Sequence, residues 1–225
     1  RRGIEDKILE GKTLNGLGSA NFQTGNLEEA VTFYLEAVSV REETGDLGGL
    51  GTSLTYLGTA YTQLGRPVDA RESFEKALPI VESAGNTTQQ FQLLNSIANL
   101  NSEMGRLRSA NEAYRRAIRL AESDGDVVGQ MVSRNNLALN LASEFKYTDA
   151  LRELKIVQGL LSESPDPEQT IIFHRNSGVV YLNVGELDLA RDHFLLFLRV
   201  SQDHEAPLYQ VEALINLGYL LQELG

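Results

Sequence analysis

The chain has 225 residues, no cysteine and a formal net charge of −11, and these properties exclude several classes of protein. Without cysteine there is no disulfide framework, no thiolate metal ligand and no thiol nucleophile. The acidic excess argues against direct binding to nucleic acid, which needs a clustered basic surface. No apolar run approaches the roughly 20 residues of a membrane-spanning helix, so we expect neither nucleic acid nor a membrane as a partner.

The sequence repeats itself every forty residues. Small residues recur in a first column, at Gly18, Gly58, Ala98, Ala138, Gly178 and Gly218. Alanine recurs in a second, at Ala30, Ala70, Ala110, Ala150 and Ala190. A third column contains Gly25, Gly65, Gly105, Phe145, Gly185 and Gly225, and a mostly aromatic fourth contains Tyr34, Phe74, Tyr114, Leu154 and Phe194. Such periodicity indicates a repeat protein in which these residues form the packed core.

Each period has the apolar spacing of two helices. In the second copy, Leu54, Leu57, Tyr61 and Leu64 recur at intervals of three and four residues, and another apolar set follows Gly65. The third-column glycines are typical left-handed C-caps. The glycine-rich segment 48–51 we interpret as a flexible helix start. We expect an all-α fold of eleven helices, two in each of five copies and one in a sixth.

These columns resemble the tetratricopeptide repeat, whose pattern is W-x2-L-G-x2-Y, then A-x3-F, then P, over 34 residues. The second copy supplies Leu54-x2-Leu57-Gly58-x2-Tyr61 and Ala70-x3-Phe74, but no copy has the Trp, and the period is longer. The long repeat is similar to those of Pins-type scaffolds and of repeat arrays in bacterial regulators. The resemblance implies an α-solenoid, a right-handed superhelix of antiparallel helix pairs with about five and a half repeats.

The expected organisation is a single array over residues 1–225. Its repeats are expected at 6–45, 46–85, 86–125, 126–165 and 166–205, with a partial repeat at 206–225. Neither end has the polar capping helix that solenoids need for solubility. We therefore expect a fragment of a larger, cytoplasmic protein, with open ends through which it can self-associate.

No arrangement of residues indicates catalysis. None of the three histidines, His174, His193 and His204, is paired at i, i+4 with a carboxylate, so we expect no metal site. The acidic pairs that follow turn glycines are typical of helix N-termini. No Gly-x-Ser-x-Gly nucleophile elbow is present. We expect neither an enzyme nor a cofactor.

The resemblance also implies that the first helix of each pair lines a concave groove. Segment 47–65 carries no charge, whereas 66–82 carries several, which places the charge on the second helices. The residues expected to project into the groove are Asn15, Thr55, Thr59, Asn95, Asn99, Asn135, Asn136, Arg175, Asn176 and Asn216. Asparagine can pair with both groups of a peptide backbone, and the row resembles the asparagine ladders of kinesin light chains and O-GlcNAc transferase. Alternatively, these asparagines bond only to neighbouring loops.

The expected function is therefore that of a protein–protein interaction scaffold, which binds a peptide or a partner protein in the concave groove. The alternative is a regulatory array that senses a peptide or small ligand and controls an attached effector domain. An ATPase, DNA-binding or protease domain beside the array would favour that alternative.

Overall fold

The computed structural model describes the backbone of residues 2–224 and the side chains of residues 3–223, which form eleven α-helices and no strand. The helices are α1 (Arg2–Gln23), α2 (Leu27–Thr44), α3 (Leu47–Gln63), α4 (Pro67–Ala84), α5 (Thr87–Glu103), α6 (Leu107–Asp124), α7 (Val127–Ser143), α8 (Tyr147–Glu163), α9 (Pro167–Val184), α10 (Leu187–Asp203) and α11 (Pro207–Leu224). The expected all-α fold is confirmed. Arg1 and Gly225, the ends of the expected array, lie outside the described residues.

The helices divide into two compact units, which we call unit 1 and unit 2, between Ala113 and Tyr114 within α6. Unit 1 has a buried core that includes Tyr34 and Phe74. Unit 2 has its own core around Phe194. The most extensive helix contacts join α1 to α2 and α3 to α4 in unit 1, and α7 to α8 and α9 to α10 in unit 2. This is the pairing of first and second helices that the forty-residue period predicts.

The small residues of the first column let the two helices of a repeat cross closely. A Cβ atom at Gly58 would lie 2.5 Å from Cε1 of Phe74, and Gly178 has the same relation to Phe194. Separations this short do not occur between real side-chain carbons and ring atoms, so glycine is required while the ring keeps its place. The interpretation of the glycine and aromatic columns as packing residues is confirmed at these crossings.

The third column marks a left-handed backbone at the ends of α1, α3, α5, α7 and α9. Gly65, which follows α3, has φ of 67°. Phe145 holds the equivalent place after α7 with φ of 60°, and its side chain is 80% exposed. A bulky residue in this conformation is strained. The turn geometry is therefore kept even in the repeat that has lost its glycine.

The glycines at the start of α3 make room for neighbouring side chains. Asp46 caps the helix by accepting a hydrogen bond from the backbone nitrogen of Gly49 at 3.0 Å. A side chain at Gly49 would overlap Nη1 of the buried Arg41, and a Cβ atom at Gly51 would lie 2.7 Å from Cγ2 of Val81. Gly49 and Gly51 therefore have a steric role at the start of α3, in addition to the flexibility expected of this segment.

Candidate functional site

Most of the groove residues expected in unit 1 are buried between helices. Asn15 Oδ1 accepts a hydrogen bond from Ser53 Oγ at 3.1 Å, which ties α1 to α3. Thr55 donates to the Gly51 carbonyl at 2.8 Å, and Asn95 donates to the carbonyl four residues before it. All three predicted residues are buried. Their polar groups stabilise the helices and offer little surface to a ligand.

Two of the residues predicted for unit 1 retain exposed surface. Thr59 is half-buried, donates to the Thr55 carbonyl at 3.0 Å and lies 3.2 Å from the hydroxyl of Ser96 on α5. Asn99 is exposed. These two side chains are accessible on the face formed by the first helices, which we call the first-helix face.

In unit 2, two predicted asparagines form a buried contact between α7 and α9. Asn135 and Asn176 are both 0% exposed. Asn176 Nδ2 donates to the main-chain carbonyl of Asn135 at 3.2 Å, and Asn135 Nδ2 donates to Gln169 Oε1 at 3.4 Å. Asn135 Oδ1 finds no hydrogen-bond partner among the described residues. In this structure the two amides join first helices to each other and present nothing to a peptide.

Arg175 is the predicted residue that is both accessible and held in place. Its side chain is 23% exposed. Its Nε donates to Asn176 Oδ1 at 3.0 Å, so the buried amide fixes the direction of the guanidinium. Its Nη1 lies 3.6 Å from Glu212 Oε2 on α11, which is beyond hydrogen-bonding distance. The guanidinium therefore keeps donors that an incoming acceptor can use.

Apolar side chains also flank Arg175 along α9, which the sequence interpretation missed. Asn136 and Asn216, the remaining predicted residues, are half-buried on α7 and α11. Half-buried apolar side chains lie one turn from Asn136 on α7, at Val132 and Leu139, and one turn from Arg175 on α9, at Ile172 and Val179. Unit 1 has polar residues at the equivalent places, Thr52, Thr59, Gln92 and Asn99. This contrast between the units is present in the sequence columns, although the positions of the amides alone do not reveal it.

Two histidines that the sequence left unconnected meet between α9 and α10. His174 Nδ1 and His193 Nδ1 lie 3.1 Å apart, so one ring donates a hydrogen bond to the other. His193 also stacks on Tyr181, with ring centroids 5.4 Å apart. Among residues 3–223 no group of three or more histidine, aspartate or glutamate side chains is arranged to hold a metal ion.

Burial controls the protonation of this pair. Burial, together with the neighbouring His193, lowers the pKa of His174 from 6.5 to about 4. Burial also lowers the pKa of His193, with Asp192 acting in the opposite direction. Both rings are therefore uncharged at neutral pH, and the ring that accepts the hydrogen bond must be neutral.

The free energy of unfolding should consequently fall as the pH decreases from 6.5 towards 4. In this range His174 is protonated in the unfolded chain but stays neutral in the folded chain. The full pKa difference corresponds to about 3 kcal/mol, and partial exposure of the rings reduces the expected loss to about 1–2 kcal/mol. The free energy of unfolding in urea, measured at pH values above and below this range, gives the loss of stability. His174→Leu introduces the residue found in the same column at Leu54 and Leu94. It should weaken the dependence of stability on pH, whereas a substitution of the exposed His204 should not. Equal pH profiles for all three proteins would contradict the assignment.

The family follows from the sequence columns and the helix pairs together. The tetratricopeptide repeat model matches residues 9–83 and 50–123, which together cover half of the chain. The chain belongs to the tetratricopeptide repeat family. A comparison with curated protein sequences gives no significant match. None of the helices within residues 2–224 is long and apolar enough to cross a membrane.

Several solved structures are similar to this chain. BtubC from P. vanneervenii has a TM-score of 0.73 and 19% identity, covering 87% of this chain and 83% of BtubC. A Rap protein complexed with competence and sporulation factor has a TM-score of 0.79 and 16% identity, covering 91% of this chain and 57% of the Rap protein. The Rap conjugation gene regulator of plasmid pLS20, in complex with the Phr* peptide, has a TM-score of 0.74 and 18% identity, covering 98% of this chain and 61% of the regulator. At these identities the likeness concerns the fold.

Proposed function

We propose that the chain is a non-catalytic interaction module that binds a peptide segment of a partner protein on the first-helix face of unit 2. Arg175 carries this proposal. It is partly exposed, Asn176 holds its Nε, and its nearest carboxylate, Glu212, is 3.6 Å away. A carboxylate from a ligand can reach the guanidinium with shorter and better aligned bonds. The peptide would therefore carry an acidic side chain, or its own C-terminus, at this point.

The neighbouring side chains suit the rest of an extended peptide. The half-buried apolar residues beside Arg175 offer contact to one or two apolar side chains of the ligand. Asn136 and Asn216 have amides that can pair with backbone groups of the ligand. Asn135 and Asn176 contribute indirectly, because they hold α7, α9 and Arg175 in position.

The similar structures support a peptide ligand in one respect. The Rap conjugation gene regulator was solved with the Phr* peptide, so a protein of this fold can bind a peptide. The residues that would do so in the present chain are proposed from its own geometry. The face of unit 1 is polar at the equivalent positions and would take part less, since it lacks both the apolar contacts and the arginine.

Selection from a random peptide display library, followed by calorimetry on the selected peptides, tests the proposal. We expect the peptides to share an acidic group or a free C-terminal carboxylate flanked by apolar residues. Arg175→Ala should weaken their binding by about 10–100-fold, because one partner of a charge-assisted hydrogen bond is removed. Arg199→Ala, which removes an exposed arginine from α10, is the matched control and should leave affinity unchanged.

Two results would contradict the proposal. The first is selection of peptides without an acidic group whose binding is indifferent to Arg175. The second is equal loss of affinity in the Arg175 and Arg199 variants, which would indicate a general effect of charge on a different surface.

A further inference from the structure

A cavity of about 260 Å³ lies among α8, α9 and α10 of unit 2, away from the residues proposed to bind a peptide. Two leucines of α8 and the ring of Phe173 form its apolar part. Its polar lining consists of Lys155, Gln158, Ser177 and His193, with Tyr181 beside them. No aspartate or glutamate is among the residues that line it, although the chain carries a net charge of −11.

Unit 1 contains the equivalent cavity, of about 190 Å³, among α2, α3 and α4. Three periods of forty residues separate each pair of equivalent residues. The residues that correspond to Lys155, Gln158, Ser177, Tyr181 and His193 are Leu35, Val38, Leu57, Tyr61 and Ser73. Carboxylates of Glu42, Asp69 and Glu72 also line the unit 1 cavity. Thus three carboxylates line the cavity in unit 1, whereas the polar lining in unit 2 includes hydrogen-bond donors and contains no acid.

Ser177 is the clearest sign that the unit 2 cavity is built for a ligand. It stands in a column otherwise occupied by apolar residues such as Leu57 and Ile97. Its side chain is 2% exposed and faces the cavity, and it has no hydrogen-bond partner among the described residues. The hydroxyl can therefore donate a hydrogen bond to an acceptor group of a molecule in the cavity.

The other donors are also available to a ligand. Lys155 is exposed at the cavity edge and forms no ion pair with any described carboxylate. His193 Nδ1 is occupied by His174, which leaves Nε2 for a ligand. The rings of Tyr181 and His193 stack at 24° with centroids 5.4 Å apart, and Phe173 meets His193 edge-on at 5.7 Å. This aromatic wall favours a flat, apolar ligand body.

We propose that this cavity binds a small aromatic carboxylic acid. The carboxylate accepts hydrogen bonds from Ser177 and Lys155, and the ring packs against Phe173, Tyr181 and His193. The volume of about 260 Å³ limits the ligand to about one ring with a short acidic side chain, since it lies just below the range for drug-sized ligand sites. Phenylacetate has these properties and serves as the probe.

Calorimetric titration of the whole chain with phenylacetate tests the proposal, with the neutral isostere phenylacetamide for comparison. We expect saturable binding at one site with a Kd of about 1 mM or tighter, as an unrefined ligand of this size allows. Phenylacetamide should bind about tenfold more weakly, because it lacks the charge that pairs with Lys155. In NMR spectra the ring signals of His193 should shift on binding, and those of the exposed His204 should not.

Two variants each remove a side chain proposed to bind the carboxylate, and a third variant serves as the control. Ser177→Ala and Lys155→Leu should each weaken phenylacetate binding by about five- to tenfold. Both changes are compatible with folding, since Leu35 occupies the equivalent of Lys155 in unit 1, and circular dichroism checks this. Lys76→Leu removes an exposed lysine from the unit 1 cavity and should leave binding unchanged. Absence of saturation at millimolar concentrations, equal affinity for acid and amide, or equal affinity in all three variants would overturn the proposal.

Discussion

Gly58→Leu is expected to destabilise unit 1 by about 3 kcal/mol or more. Gly58 lies under the ring of Phe74, and even a Cβ atom there would approach Cε1 to 2.5 Å. A leucine must therefore displace the ring or separate α3 from α4, and overpacking of this kind is among the costlier core substitutions. The midpoint and the free energy of urea unfolding measure the effect.

Gly48→Leu is the matched control because the same substitution is made in the same helix. Gly48 has no atom of another residue within 4 Å of the position of a Cβ atom. The change should alter stability by less than about 1 kcal/mol, since a leucine also favours the helix relative to glycine. Similar losses in the two variants would mean that the crossing of α3 and α4 is not the tight contact that the structure shows.

Asn176→Ala should cost about 1–3 kcal/mol although it removes only one side chain amide. The amide is 0% exposed, donates to the Asn135 carbonyl and accepts from Arg175 Nε. Alanine leaves these groups without their partner and opens a small void between α7 and α9. Equilibrium unfolding of unit 2, followed by circular dichroism, measures the loss.

Asn216 provides the comparison for this substitution, because it occupies the same column forty residues later and is half-buried. Asn216→Ala should change stability by less than about 0.5 kcal/mol, as most accessible positions do. If both substitutions cost the same, the buried amide contact contributes nothing, and the asparagine column would again be a candidate for the ligand surface.

The fold was predictable because its determinants are local and repeated. Glycine and aromatic columns at a fixed spacing define the helix crossings, and the third column defines the turns, so each copy supports the interpretation of the others. The turn at Phe145 shows that this redundancy tolerates an exception. The steric role of Gly49 and Gly51 was not predictable, because the space that each glycine leaves depends on the positions of Arg41 and Val81 on other helices.

The ligand surface was less predictable because it depends on how closely neighbouring first helices approach. Asn135 and Asn136 are adjacent in sequence, yet one is fully buried and the other half-buried. The forty-residue period predicts the column to which each side chain belongs. It does not predict the distance between α7 and α9, and this distance determines how exposed the side chain is. The pairing of His174 with His193 depends similarly on a contact between two different helices.

The equivalent cavities of unit 1 and unit 2 each border on three consecutive helices, and their lining residues are largely distinct from the glycines and aromatic rings that fix the helix crossings. A repeat can therefore acquire a new lining without disturbing the frame around it. Each cavity is shared by two consecutive repeats, and four of the equivalent lining residues differ between unit 1 and unit 2. One chain can in this way accumulate several independent chemical preferences along its length.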